Sequence, residues 1–383
     1  MKHITRADFI PKVESNLTKR FILGITMVTG FSLIIYGGPL TIMLMITLVQ
    51  FKCFEEIMNL AYEAKKLPKE SKLRRINIYF VLVGNYFFYG EVSKIHFKVF
   101  ADTFATVRFL VSYHSFISFC AYLFGFIWFV TNVKKNELRK QFSLFFWTHF
   151  LILIIVVQAS LLVNIVFEGL IWNVVPISLV VLNDIFAFIF GKLLGKTPLI
   201  KLSPKKTMEG YIFGAFGTVL MGLLLSQFLC QFDFFTCPIE YMNTSSGISM
   251  NTNCNSTYIF SPIDFYGIHS YPFVFHSLVI SVFASIIAPF GGFCASGFKR
   301  SMKVKDFGDI IPGHGGMMDR NDCQFLMATF VHVYINTFIK NTNYNDINKI
   351  FQKLLYMNEE SQLEFYYLLE NHIRHNVNSS ISF

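Results

Sequence analysis

Charge is scarce in this sequence. Only 15% of its 383 residues are Asp, Glu, Lys or Arg, against about 25% in ordinary soluble domains. With 53% hydrophobic residues and 46 phenylalanines, the chain has too little polar side chain to cover a soluble surface. No CxxC pair occurs among the seven cysteines, which argues against a structural zinc site. No small-residue cleavage site follows the first apolar stretch, so the first span is expected to double as the targeting signal. No nucleic-acid-binding module accompanies the basic residues, and nucleic acid is not expected as a partner. No internal repeat is visible. Lysine and arginine are missing altogether from residues 233–270.

Where lysine and arginine do occur, they give a formal net charge of +9 and sit in short clusters between apolar runs: Lys65-Lys66, Lys72 to Arg75, Lys134-Lys135 and Arg139-Lys140. That is the placement of cytosolic loops flanking membrane spans. A helical crossing takes about 20 residues. Runs at 21–36 and 40–51 flank Gly37-Gly38-Pro39, which reads as a tight turn; 76–90 and 115–130 form a second pair. Next come 142–166 and 170–191, the latter holding Asn183 and Asp184. In 210–230, Gly214, Gly217 and Gly222 suit close helix packing, and 271–290 and 325–339 complete the set. The expected fold is an all-α polytopic transmembrane helical bundle with roughly eight or nine spans. Residues 1–20 read as a basic cytosolic N-terminus, 21–166 as N-terminal membrane helices, 167–340 as the catalytic membrane region and 341–383 as a polar tail.

The densest chemistry lies between Ser296 and Asp322. Lys299, Arg300, Lys303 and Lys305 precede a bend, Pro312-Gly313-His314-Gly315-Gly316, and Asp306, Asp319 and Asp322 surround it, with Arg320 between the last two. Glycines let backbone N–H groups approach phosphate oxygens, the cations neutralise them, and carboxylates hold a hard divalent ion. A charged loop that merely orients the protein would account for the lysines but not for three aspartates and a glycine bend. Asp184 is a second signal, because a carboxylate at mid-span costs ~2.5–3.5 kcal/mol on insertion scales and calls for a partner or a metal. A third is Ser203-Pro204-Lys205-Lys206-Thr207, hydroxyls and ammonium groups just before a helix start, where anions bind readily.

The stretch from Ser296 through Lys299-Arg300, Lys305-Asp306, His314-Gly315-Gly316 and Asp319-Arg320 to Asp322 resembles the signature of the phosphatidate cytidylyltransferases at every fixed position. Asn183-Asp184, Gly191-Lys192 and Ser203 to Gly210 resemble upstream blocks of the same family. Pro289 to Phe293, Asp322-Cys323-Gln324 and the N-terminal Gln50 to Ile57 resemble its eukaryotic branch. Three positions depart from the family pattern. Asn321 stands at a usually apolar position, Met208 where tryptophan is usual, and Gly292 where bacterial members carry an aspartate implicated in the metal centre.

The resemblance implies Mg²⁺-dependent transfer of CMP from CTP to phosphatidic acid, giving CDP-diacylglycerol and pyrophosphate for phospholipid biosynthesis. It assigns Mg²⁺ to Asp319 with Asp184 or Asp322, and phosphates to Lys299, Arg300 and Lys305, with Arg320 also among the catalytic residues. Asp306 orients Lys305 or reaches the metal through water, and His314 donates to phosphate or shapes the bend. Ser203, Lys205, Lys206, Thr207 and Ser296 contribute to substrate binding. The implied setting is the endoplasmic reticulum membrane, in contact with lipid and with the site facing the cytosol, and a homodimer is compatible with it. The two sequons, Asn243-Thr244-Ser245 and Asn255-Ser256-Thr257, and a pairing of Cys237 with Cys254 would then be lumenal. Two other readings stay open: a CTP-dependent polyprenol kinase, which would release CDP, and a transporter for an anionic metabolite.

Overall fold

The protein is described by a computed structural model covering residues 24–67, 72–200, 203–239, 241–244, 247–250, 258–265, 267–310, 315–340, 351, 354–355 and 357–380. It divides into two compact units, Met1–His332 and Val333–Phe383. In the first, α1 (Gly24–Tyr36) and α2 (Pro39–Ala64) meet at the expected turn. Gly38 takes φ +84°, a conformation that glycine adopts without a steric penalty, and Pro39 opens α2 at a position where its missing N–H costs nothing. The remaining long helices of this unit are α3 (Lys72–His96), α4 (His114–Asn132), α5 (Lys135–Phe167), α6 (Ile171–Leu194), α7 (Met208–Leu229) and α8 (Pro272–Ser301). The next helix, α9 (Met318–Tyr334), runs across the boundary between the units. In the second unit Ile335–Lys340 is a π-helical stretch and α10 is Glu359–Ser380.

The all-α polytopic bundle is present, but the span count differs from the expectation. Among the described residues five helices, α4 to α8, are long and apolar enough to cross a membrane by length and composition. The apolar runs in α2 and α3 miss that mark for physical reasons. In α2, Lys52, Glu55, Glu56 and Glu63 interrupt the apolar sequence, yet the helix continues to Ala64 because Cys53, Ile57 and Ala61 keep one face buried. Charges occupy both ends of α3, and the described part of α1 runs over Gly24–Tyr36. The outer surfaces of the apolar helices are bare of polar cover, with Phe116, Phe188, Phe216 and Phe228 among the most exposed side chains, as a lipid-facing exterior requires.

The most extensive helix pairing described joins α6 to α7 through glycine. A Cβ at Gly210 would lie 2.6 Å from the Ala187 carbonyl, one at Gly214 3.0 Å from the Ala187 backbone, and one at Gly217 3.2 Å from the Phe186 ring. Gly222 is pressed against Leu179 and Ser281. Small residues at these points let the backbones approach, as in membrane helix pairs generally.

Short antiparallel hairpins, which the all-α expectation did not include, cap the two ends of the helices. At one end β1 (Pro198–Ile200) pairs with β2 (Ser203–Thr207) between α6 and α7. At the other lie β3 (Tyr241–Thr244) with β4 (Gly247–Met250), and β5 (Ile263–Phe265) with β6 (Ile268–Ser270). The Ile239 N–H donates to the Phe167 carbonyl at the C-terminus of α5, and Gln227 near the end of α7 donates to the His269 carbonyl. The alternating helix directions therefore gather Lys65, Lys66, Lys72 to Arg75, and residues 134–140, 192–200, 203–206 and 299–305 at the end opposite the described part of the lysine-free segment. Cys237 is disulfide-bonded, while Cys254, the second sequon and the proposed N-terminal tail 1–20 lie outside the described residues.

The main buried core joins Ile42, Ile46, Ile57 and Tyr62 of α2 with Leu144, Ile155, Val156 and Val163 of α5, and extends to Ala295 of α8 and Met318 and Phe325 of α9. A π-helical turn at Ile152–Val156 interrupts α5 within it. This core sets the beginning of α9 against the middle of α2.

Candidate active site

Lys299 and Arg300 occupy the last turn of α8, where the helix dipole favours cations. The helix then stops sharply. Lys303 takes φ +57°, and the Lys303 and Val304 N–H groups bond back to the Arg300 and Lys299 carbonyls, in the manner of a left-handed helix C-terminus. The Arg300 guanidinium remains exposed and donates to the Val304 carbonyl at 3.1 Å. Lys299 turns inward instead. Its Nζ lies 2.6 Å from Asp319 Oδ1, with the two side chains only 12% and 4% exposed, and 5.2 Å above the Phe307 ring. Phe298 stacks on Phe307 and meets Trp147 edge-on, which walls the ammonium on one side with aromatic surface.

Asp319 is engaged on both oxygens. While Oδ1 holds Lys299, Oδ2 accepts the N–H groups of Phe307 and Gly316, each at 2.9 Å. The two arms of the loop between α8 and α9 are thereby tied to one carboxylate. A second carboxylate, overlooked in the sequence, closes the same loop from below. Glu56 of α2 is 5% exposed, and its oxygens accept the N–H groups of Met317 at 2.7 Å and Met318 at 2.9 Å. Its segment, Gln50 to Ile57, carries part of the family resemblance, and that was the only available signal.

One turn further along α9, Asp322 accepts the Cys323 N–H through Oδ1. Burial pushes the Asp322 carboxyl above the ordinary carboxylate range, and Asp184 adds like-charge repulsion, against the pull of the Cys323 N–H and Lys299. A Cβ at Gly292 would begin 3.6 Å from Asp322 Oδ2, so the aspartate that bacterial members carry there would adjoin this carboxylate. Asp184, whose side chain is 58% exposed, has a cationic neighbour. Lys206 Nζ lies 3.8 Å from Asp184 Oδ1 and 5.0 Å over the Phe293 ring. Its neighbour Asn183 is the buried one of the pair and accepts from Thr218.

Other singled-out residues are placed differently. Thr207 caps α7, accepting the Gly210 N–H, and Glu209 folds back onto the N–H groups of Lys196 and Thr197. These bonds shape the hairpin between α6 and α7. Ser203 starts β2 half-buried, and the Lys205 side chain and His314 lie outside the described residues. Arg320 and Lys305 are exposed, Ser296 is half-buried, and among the described residues no ion pair joins Lys305 to Asp306. Asp306 lies instead against Gly315, whose φ of +83° makes the bend. Among the described residues no three His, Cys, Asp or Glu side chains converge to hold a metal. The geometry presents two adjoining pairs, Lys299 with Asp319 and Lys206 with Asp184, with Asp322 sensing a charge from each.

Residues 18–338 match the cytidylyltransferase family along their whole run. The chain belongs to that family. Among its relatives, phosphatidate cytidylyltransferase 1 of Homo sapiens is 44% identical over 96% of this chain and 82% of its own length. Phosphatidate cytidylyltransferase 2 of Mus musculus is 44% identical over 96% and 87%, and the phosphatidate cytidylyltransferase of Caenorhabditis elegans is 41% identical over 96% and 80%. Membership as a cytidylyltransferase therefore covers the N-terminal helices that carry Glu56 as well as the signature loop.

Proposed function

We propose that this membrane protein is a CTP:phosphatidate cytidylyltransferase that makes CDP-diacylglycerol and pyrophosphate from CTP and phosphatidic acid. The observation that carries the reading is the near full-length match to phosphatidate cytidylyltransferases together with an intact signature whose Lys299 and Asp319 meet in a buried pair. The phosphate monoester of phosphatidic acid attacks the α-phosphorus of CTP. With a phosphate second pKa at about 6, the nucleophile is already ionised near neutral pH and needs no strong base. The obstacle is the approach of two anions, so positioned cations matter most.

Lys299 keeps donors beyond the one given to Asp319 and would present them to a phosphate, held in direction by that carboxylate. Lys206 does the same from the hairpin, steadied by Asp184. Exposed Arg300, Lys305 and Arg320 would draw the triphosphate to the mouth, and Ser203, Lys205, Thr207, Ser296 and His314 line or shape the approach. Asp322 and Asp184 fit Mg²⁺, which takes one or two carboxylates plus substrate phosphates; Asp319, already holding an ammonium and two N–H groups, fits it less well. Bound there, the ion would neutralise phosphate oxygens as charge builds toward pyrophosphate.

Adding α1, α2 and α3 to the five helices that meet the length and composition mark would make eight crossings. The basic end would face the cytosol, where CTP is supplied, and the lysine-free end the lumen of the endoplasmic reticulum. Phosphatidic acid would enter sideways from the lipid, and a homodimer is compatible with this arrangement. Purified protein in detergent, given CTP, phosphatidic acid and Mg²⁺, should yield CDP-diacylglycerol and pyrophosphate. Release of CDP with a phosphorylated lipid would replace this reading with a lipid kinase.

A further inference from the structure

Glu56 lies on a helix with no signature residue, yet both of its oxygens accept backbone N–H groups where the signature loop meets α9. The first N–H groups of a helix lack intrahelical partners and are commonly met by a side chain just upstream. At α9 two of them, from Met317 and Met318, are met by a carboxylate from another helix, at 2.7 and 2.9 Å, and its negative charge suits the helix N-terminus. The loop is moulded around this group. A Cβ at Gly308 would lie 2.9 Å from Glu56 Oε1, and one at Gly316 would lie 2.6 Å from Oε2 and 2.7 Å from the Gly308 nitrogen. Gly316 is also one of the two N–H donors that aim Asp319, and Asp319 aims Lys299. Two sets of hydrogen bonds, joined by the Gly316–Met317 peptide, thus connect α2 to the buried ammonium.

We infer that Glu56 is a positioning residue for CMP transfer: it fixes the bend from which Asp319 holds Lys299 toward the phosphates. The inference rests on the cytidylyltransferase reading above. A displacement of about 1 Å in a catalytic group can cost on the order of 10²-fold in rate, so loosening the bend should appear in turnover rather than in nucleotide capture at the exposed mouth.

The test is Glu56→Gln, which keeps the shape but offers one acceptor where two N–H groups need one each. Activity is measured per folded molecule, with folded protein counted by size-exclusion of the detergent-solubilised enzyme, and kcat and the KM for CTP are separated. The expected result is a fall in kcat of about 10- to 100-fold with KM for CTP changed less than about threefold. Glu55→Gln, which alters an exposed carboxylate paired with Lys52 and Arg74, should leave both unchanged. A Glu56→Gln enzyme with unchanged kcat per folded molecule overturns the inference. If Glu56→Gln does not fold, Gly308→Ala presses on the same carboxylate from the loop side, and unchanged kcat there overturns it equally. Failure of the unsubstituted enzyme to form CDP-diacylglycerol would sink the functional reading instead, so the two failures are distinguishable.

Discussion

Replacing Asp319 by asparagine removes a charge but hardly any volume, and the structure allows its cost to be worked through. Asp319 accepts from Lys299 on one oxygen and from two backbone N–H groups on the other. Asparagine has only one acceptor oxygen, so its amide nitrogen must face either the ammonium or the two N–H groups. Either way a buried donor is left without its acceptor. The Lys299 ammonium, 12% exposed, also loses the charge that holds it inside; breaking a buried ion pair costs roughly 3–5 kcal/mol. In turnover, removal of one preorganised electrostatic contributor is worth about 10²–10³-fold, or roughly 2.7–4 kcal/mol. CDP-diacylglycerol formation from labelled CTP, normalised to folded protein, should fall by that factor. Lys299→Met should fall comparably, and the double variant should be no worse than the poorer single, because residues that act as a unit are not additive. Normal turnover in Asp319→Asn, or fully additive losses in the double variant, would refute the pairing as a functional unit.

Asp184→Asn and Lys206→Met should each lower activity by at least about tenfold, with Asp184→Asn also raising the Mg²⁺ concentration needed for half-maximal rate; an unchanged Mg²⁺ titration would detach Asp184 from the metal. Gly210→Ala, whose methyl would meet the Ala187 carbonyl at 2.6 Å, should destabilise the α6–α7 pair by about 1–3 kcal/mol, read as a lower midpoint of thermal unfolding in detergent. In sealed microsomes a cysteine replacing exposed Lys196 should react with an impermeant thiol reagent added from the cytosolic side, over the background of the unsubstituted protein. One replacing exposed Asp264 should not, and the reverse pattern would invert the orientation.

Local features of this fold were legible where one residue type has one physical use. Gly38-Pro39 announced a turn, and Gly214, Gly217 and Gly222 announced a close helix contact, because no other side chain fits such spacing. The end of α2 was not legible: Lys52, Glu55 and Glu56 broke the apolar run, and only burial of Cys53, Ile57 and Ala61 reveals that the helix continues. Hairpin β1–β2 escaped for a related reason, since its strands are too short to show an alternating pattern. Thr207 carried two compatible meanings, a hydroxyl for phosphate and a helix cap, and local hydrogen bonding uses it as the cap. For Glu56 the family resemblance of its segment was the only signal, and it assigns no role. Its partners stand 261 and 262 residues away, and nothing nearby marks one of two adjacent glutamates as the buried one.

That separation also sets a clock for biosynthesis. Translation at about 5–20 residues per second delivers Met317 and Met318 some 13–52 s after Glu56 has been made. Throughout that interval α2 carries a carboxylate without its eventual N–H donors, a group that is expensive to keep in an apolar setting. The N-terminal helices therefore lack, for that interval, the partners that satisfy Glu56 in the finished protein. A nascent chain halted before α9 lacks these donors, and the reaction centre is completed only when roughly the last sixth of the polypeptide supplies the N–H groups for a carboxylate made in the first sixth.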